Sequence, residues 1–158
     1  MKNLSATWYE VTAKYDKTQE DGSQKKVNEL YLVDAVSCSD AENRVLEELK
    51  HYLSGEFKVK SIKESSLKEV FFSDKDKDDR WYKVKLSFIT IDEKTEKEKS
   101  SSVTYLVQAS SVNSASNNID KEMSSTMMDY FSKAVQETKI IDVFSPHKND
   151  KVRIPKKQ

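Results

Sequence analysis

Tyr31–Val45 reads YLVDAVSCSDAENRV, and Tyr105–Ile119 reads YLVQASSVNSASNNI; seven of the fifteen aligned positions are identical. The two stretches stand 74 positions apart (105 − 31). A second echo precedes each of them. WYEVTAKY begins at Trp8 and WYKVKLSF at Trp81, an offset of 73 (81 − 8). Two echoes in the same order and at nearly the same spacing argue for an internal duplication.

Each copy reads as β-β-α-β. In the first strand Tyr9, Val11, Ala13 and Tyr15 alternate with Trp8, Glu10, Thr12 and Lys14; Tyr82, Val84, Leu86 and Phe88 alternate with Trp81, Lys83, Lys85 and Ser87. Period two with one polar set marks one buried face and one wetter face. A charged connection follows, DKTQEDGSQKKVN in copy one and DEKTEKEKSSS in copy two, with Asp21-Gly22 as a turn signal. The second strands run over Leu30–Val36 and Val103–Ala109.

A helix comes next. Ser39 with Glu42 makes a capping box, and Asn113 takes the capping role in copy two. Ala41, Val45, Leu49 and Tyr52 fall on one face, widened by Leu46 and Leu53, and Gly55 is placed to end the helix. In copy two Ala115, Ile119, Met123 and Met127 repeat the stripe, and Tyr130, Phe131 and Ala134 continue it into a longer or kinked helix. The third strands are FKVKSIK from Phe57 and TKIIDVF from Thr138. Matching Lys58 to Lys139 raises the offset to 81 (139 − 58), which about two extra helical turns would absorb.

The predicted fold class is α/β (α+β). Duplicated β-β-α-β halves form a ferredoxin-like two-layer sandwich with long charged hairpins, because one helix on a small sheet buries too little alone. Residues 1–145 are expected to make a single domain of two repeats, 8–63 and 81–144. The linker 64–80 carries Val70, Phe71 and Phe72 as an edge strand or a plug. The basic segment 146–158, with Pro146 and Pro155, is expected to be a mobile tail.

Lys plus Arg equals Asp plus Glu at 27 each, so no global field draws the chain to DNA or a membrane. The start MKNLSATWYE lacks the apolar run of a secretory signal, and no stretch approaches the roughly 20 apolar residues of a membrane span. One cysteine, Cys38, permits no intrachain disulfide. These features point to a cytoplasmic protein.

Catalytic chemistry has little to work with. His51 and His147 are the only histidines, and neither has a Cys or Ser partner in a recognisable context. Cys38 aligns with Val112, so its position wants a small apolar group. Three scattered Cys and His residues do not make a zinc site, and two glycines, Gly22 and Gly55, do not make a phosphate loop. Asp74, Asp76 and Asp78 in DKDKDD suggest calcium. An EF-hand needs Gly at its sixth position and Glu at its twelfth, where this chain has Asp79 and Lys85. The expectation is a non-enzyme with no metal and no cofactor.

The best binding candidate is the repeated tryptophan. Trp8 and Trp81 lie on the strand face opposite the Tyr/Val set. If that face is open they stand with Lys58, Lys60, Lys83 and Lys85, the ingredients of a platform for single-stranded nucleic acid. Arg153 and the lysines of the tail would add phosphate contacts. The competing account is structural: a strand-end Trp often packs on a neighbouring hairpin, and lysines on a wet face are ordinary. The Gly- and aromatic-rich strand of an RNA-recognition module is absent.

The stretch WYEVTAKYDKTQEDGSQKKVNELYLVDAVSCSDAENRV, with WYKVKLSF and YLVQASS, resembles the family called domain of unknown function 4494. The likeness runs from Trp8 to about Phe144. It implies a setting in Bacteroides-type bacteria of the gut or their phages, and it carries over no activity or catalytic residue. The expected function is a non-catalytic binding or interaction module, through a protein partner or self-association. The alternative is single-stranded nucleic-acid binding on the Trp/Lys face. Neither a membrane nor a small-molecule substrate is indicated.

Overall fold

The structure, a computed structural model, describes residues 7–53 and 55–145. Among the described residues the chain is mixed α/β and mostly strand, with two helices and two four-stranded sheets. It divides into two compact units, Met1–Ser65 with Lys139–Gln158, and Ser66–Thr138.

The first unit opens with a hairpin, β1 (Thr7–Thr18) and β2 (Gln24–Ala35), then α1 (Cys38–Lys50) and β3 (Phe57–Glu64). The second opens with a short strand, β4 (Glu69–Phe71), then the hairpin β5 (Arg80–Ile91) and β6 (Glu98–Ala109), α2 (Val112–Glu122) and β7 (Asp129–Glu137). The last strand, β8 (Ile140–Phe144), returns to the first unit. The strand orders are β3-β1-β2-β8 and β4-β6-β5-β7. The ferredoxin-like expectation sets both helices on one sheet; the chain instead gives each helix a sheet of its own.

The hairpins are longer than the apolar pattern indicates. Tyr9 pairs with Val33 and Lys17 with Lys25, so the ladder runs well past the buried residues. Gly22 closes the first turn at φ +89°, a backbone that suits glycine, and Asp21 accepts from the Ser23 amide at 2.9 Å.

Both helices are capped two residues before the predicted caps. Ser37, not Ser39, accepts from the Asp40 amide at 3.1 Å, and Asp40 Oδ2 accepts from the Val36 amide at 3.0 Å. Ser111, not Asn113, caps α2, and Ser114 answers it in a capping box. The first helix also ends early. Its C-cap is His51 in a right-handed conformation, so Gly55 lies beyond the helix end and Tyr52 is exposed rather than part of the buried stripe. Ala41, Val45 and Leu49 do face the core, against Tyr9, Val11, Ala13, Tyr31 and Val33. In the second unit Ala115 and Ile119 pack on Tyr82, Val84, Leu86, Tyr105 and Val107. Each such large aliphatic side chain contributes roughly 1.5–3 kcal/mol on burial.

The second half departs from expectation after α2. Asp129–Glu137, predicted to extend the helix, is a strand, and it is this strand rather than TKIIDVF that pairs with β5 as β3 pairs with β1. Val11 pairs with Ile62, and Val84 with Val135. Both ladders then shift register at the same place, between Thr12 and Ala13 and between Lys85 and Leu86. The skipped residues are Lys60 and Lys133, again 73 apart (133 − 60). No helical insertion is needed.

β8 is the fourth strand of the first sheet, parallel to β2, with Leu32 opposite Val143. β4, the edge-strand alternative for Val70–Phe72, runs parallel to β6 with Val70 opposite Leu106. Thus β4 follows β3 in the chain but pairs with β6, and β8 follows β7 but pairs with β2. Each hairpin acquires its fourth strand from the segment that trails the other half's last long strand. Phe144 and Phe71 bring matching rings, stacked on Tyr31 at 5.2 Å and on Tyr105 at 5.4 Å between centroids.

Candidate interaction surface

The predicted Trp/Lys residues divide between the two sheets, Trp8, Lys58 and Lys60 on the first and Trp81, Lys83 and Lys85 on the second. Trp8 lies in the first sheet, half-buried, opposite Asp34; its carbonyl accepts from the Ser65 amide at 2.8 Å. Trp81 lies in the second, opposite Gln108; its carbonyl accepts from the Thr138 amide at 2.9 Å. The Trp81 ring is only 2 % exposed, with Phe72 edge-on at 5.6 Å. A ring so enclosed cannot stack on a base, so its role as a platform residue is corrected to packing.

Lys58 and Lys60 are exposed on β3. Lys58 sits opposite Lys14, six residues along β1 from Trp8, roughly 20 Å at the usual strand rise. It lines an open cleft of about 560 Å³ with Lys14, Tyr15, Lys26 and Phe57, where Asp16 and Glu56 offset part of the positive charge. Lys85 is exposed and Lys83 half-buried, both on β5. Arg153, His147 and the basic tail lie outside the described residues.

Other sequence candidates resolve into local structure. His51 caps α1 and Cys38 opens it, both exposed. In the DKDKDD segment, Asp78 is 3 % exposed and accepts from the Ser73 hydroxyl and from Asn118 Nδ2, while Asn118 also donates to the Gln108 carbonyl at 3.0 Å. Asp78 thus ties the loop to α2. Among the described residues no group of three or more His, Cys, Asp or Glu is placed to hold a metal ion, and no helix is long and apolar enough to cross a membrane.

The surface that sequence reasoning missed is the edge of the second sheet that, among the described residues, pairs with no further strand. β7 ends the strand order, and Phe131 on it is 49 % exposed. Phe131 pairs with Ser87, so it shares a face with Lys85, Ile89 and Ile91. Met127, 97 % exposed, and Met128 lead into the strand. The other long edge, β3, differs at one telling place. Through the two ladders, Lys58 occupies the position of Phe131 (131 − 73). Exposed strand edges are ordinarily blunted by lysine. β3 follows that practice with Lys58, Lys60 and Lys63; β7 keeps Lys133 and puts an aromatic ring where the first lysine stands. Holding the 73-residue offset fixed past the helices would have revealed this substitution.

Two tyrosines, Tyr31 in the core and the half-buried Tyr130, are held neutral. Burial, then the Glu29 carboxylate to which it donates, pushes the Tyr31 hydroxyl far above its usual range. Burial, then Asp120, raises Tyr130, whose hydroxyl donates to Asp120 Oδ1 at 3.0 Å.

The chain belongs to the DUF4494 family, a domain of unknown function, whose model matches residues 7–147. Comparison with curated proteins finds no match.

Proposed function

We propose, for this member of a family without an assigned activity, a non-catalytic interaction module that engages a protein through the β7 edge. The observation that carries the reading is Phe131, half-exposed on an edge strand where the corresponding strand has Lys58. An unpaired edge offers main-chain donors and acceptors in a row, and an added strand from a partner satisfies them. Phe131, Met127 and Met128 supply apolar area beside that ladder, of the residue types enriched at interfaces.

The two units are further read as copies of one ancestral β-β-α-β half. The constant offset, the shared bulge and the reciprocal placing of β4 and β8 support it.

A photo-crosslinking phenylalanine analogue at position 131, installed in expressing cells, tests the function. The expected product is a covalent adduct with protein. The absence of any protein adduct overturns the reading.

A second reading is favoured by the cleft on the first unit. Lys14, Lys26 and Lys58 line that cleft together with Tyr15, a small counterpart of the aromatic and cationic grooves that take single-stranded nucleic acid. Titration with a single-stranded oligonucleotide at two salt concentrations tests it. Salt-sensitive binding that Lys58→Ala weakens supports it, and no binding removes it.

A further inference from the structure

We propose that the occupant of the β7 edge is a second copy of this chain, paired antiparallel with its own β7 about a two-fold axis at Phe131. This rests on the protein-partner reading above and names the partner.

The argument is one of charge and register. A two-fold axis normal to a sheet preserves its faces, so only registers centred on a residue continue the sheet. Centring on Phe131 sets Phe131 against Phe131, Tyr130 against Ser132, and Asp129 against Lys133 twice over. Both charged residues are exposed, and opposite charges directly across a strand pair are favourable. The neighbouring registers fail. Centring on Ser132 places Lys133 across from Phe131 and leaves Asp129 facing Val135. Centring on Lys133 sets lysine against lysine and Asp129 against Glu137. Centring on Tyr130 sets Asp129 against Phe131.

The corresponding edge cannot do the same. A pairing of β3 centred on Lys58 would bring Lys58 against Lys58, a like-charge contact at the axis. The register that suits β7 is therefore disfavoured on β3. The bulge at Lys133 ends the run, since bulges twist an edge out of line. Five residues on each copy, Asp129–Lys133, form the paired segment, and the dimer is accordingly reversible.

The test is sedimentation of the full chain over a concentration series. The wild type is expected to rise from the 18.2 kDa monomer towards twice that mass. Phe131→Lys, which gives β7 the pattern of β3, weakens association by about tenfold or more. Asp129→Lys and Lys133→Asp each weaken it, and the double charge reversal restores it. Unchanged far-UV circular dichroism shows that the variants fold. A wild type that stays monomeric, a dimer indifferent to Phe131→Lys, or a charge reversal without rescue overturns the proposal. A photo-adduct at position 131 with a different protein overturns self-pairing and leaves the protein-partner reading standing; no protein adduct overturns both.

Discussion

The ring of Phe144 lies against that of Tyr31, centroids 5.2 Å apart and planes 17° from parallel. Phe144 is among the last described residues of the chain, yet it belongs to the core that α1 covers. Phe144→Ala is expected to cost about 3–5 kcal/mol, the range for a large ring removed from a packed interior. Phe71→Ala removes the equivalent ring from beside Tyr105 and is expected to cost a similar amount. Urea midpoints of the two variants check this; a loss under about 1 kcal/mol for either would show that its core does not depend on the acquired strand.

Asp40 links helix capping to pH. The Val36 amide, then Arg44 at 3.2 Å, holds its carboxyl below the usual carboxylate value of 3.8. A depressed carboxylate stabilises the fold above its unfolded pKa, and that stability is lost as pH falls through the folded value. Asp40→Asn is therefore expected to be less stable than the wild type at neutral pH, by under about 1 kcal/mol because the group is partly solvated. The gap closes below about pH 4. Denaturant midpoints at pH 7 and pH 3 measure it; a gap that widens in acid contradicts the assignment.

The tryptophans differ in their surroundings, and fluorescence reads the difference. With Trp8→Phe, only the enclosed Trp81 emits, and acrylamide quenches it weakly. With Trp81→Phe, only the half-buried Trp8 emits, and it is quenched more strongly. Equal quenching in the two variants would contradict the packing of Phe72 over Trp81.

Much of each hairpin and helix was legible because its residues keep one period. Tyr9, Val11 and Ala13 alternate cleanly, and Ala41, Val45 and Leu49 keep helical spacing. The strand β7 was not, for a physical reason. The bulge at Lys133 breaks its period of two, and Tyr130 and Ala134 then stand four apart, as on a helix. The helix starts were misplaced because Ser37-x-x-Asp40 and Ser39-x-x-Glu42 fit a cap equally well on paper. A better signal was present for β4 and β8: Glu69-Val70-Phe71 and Asp142-Val143-Phe144 match at the 73-residue offset. The exposed β7 edge was hidden by the misread strand. Exposure of one ring and enclosure of another depend on neighbours such as Phe72, which periodicity does not encode.

The placing of β8 governs what happens while the chain emerges from the ribosome. Residues up to Ser65 can form the first hairpin and lay α1 upon it, but the outer side of β2 stays bare until Ile140–Phe144 has been translated. Throughout that interval the nascent chain carries an uncapped strand, the kind of transient species that aggregates or recruits chaperones. The second unit waits for nothing, since β4 is already made when β6 appears. Maturation is thus expected to run against the usual order: the second unit closes first, and the first is sealed only when β8 leaves the tunnel.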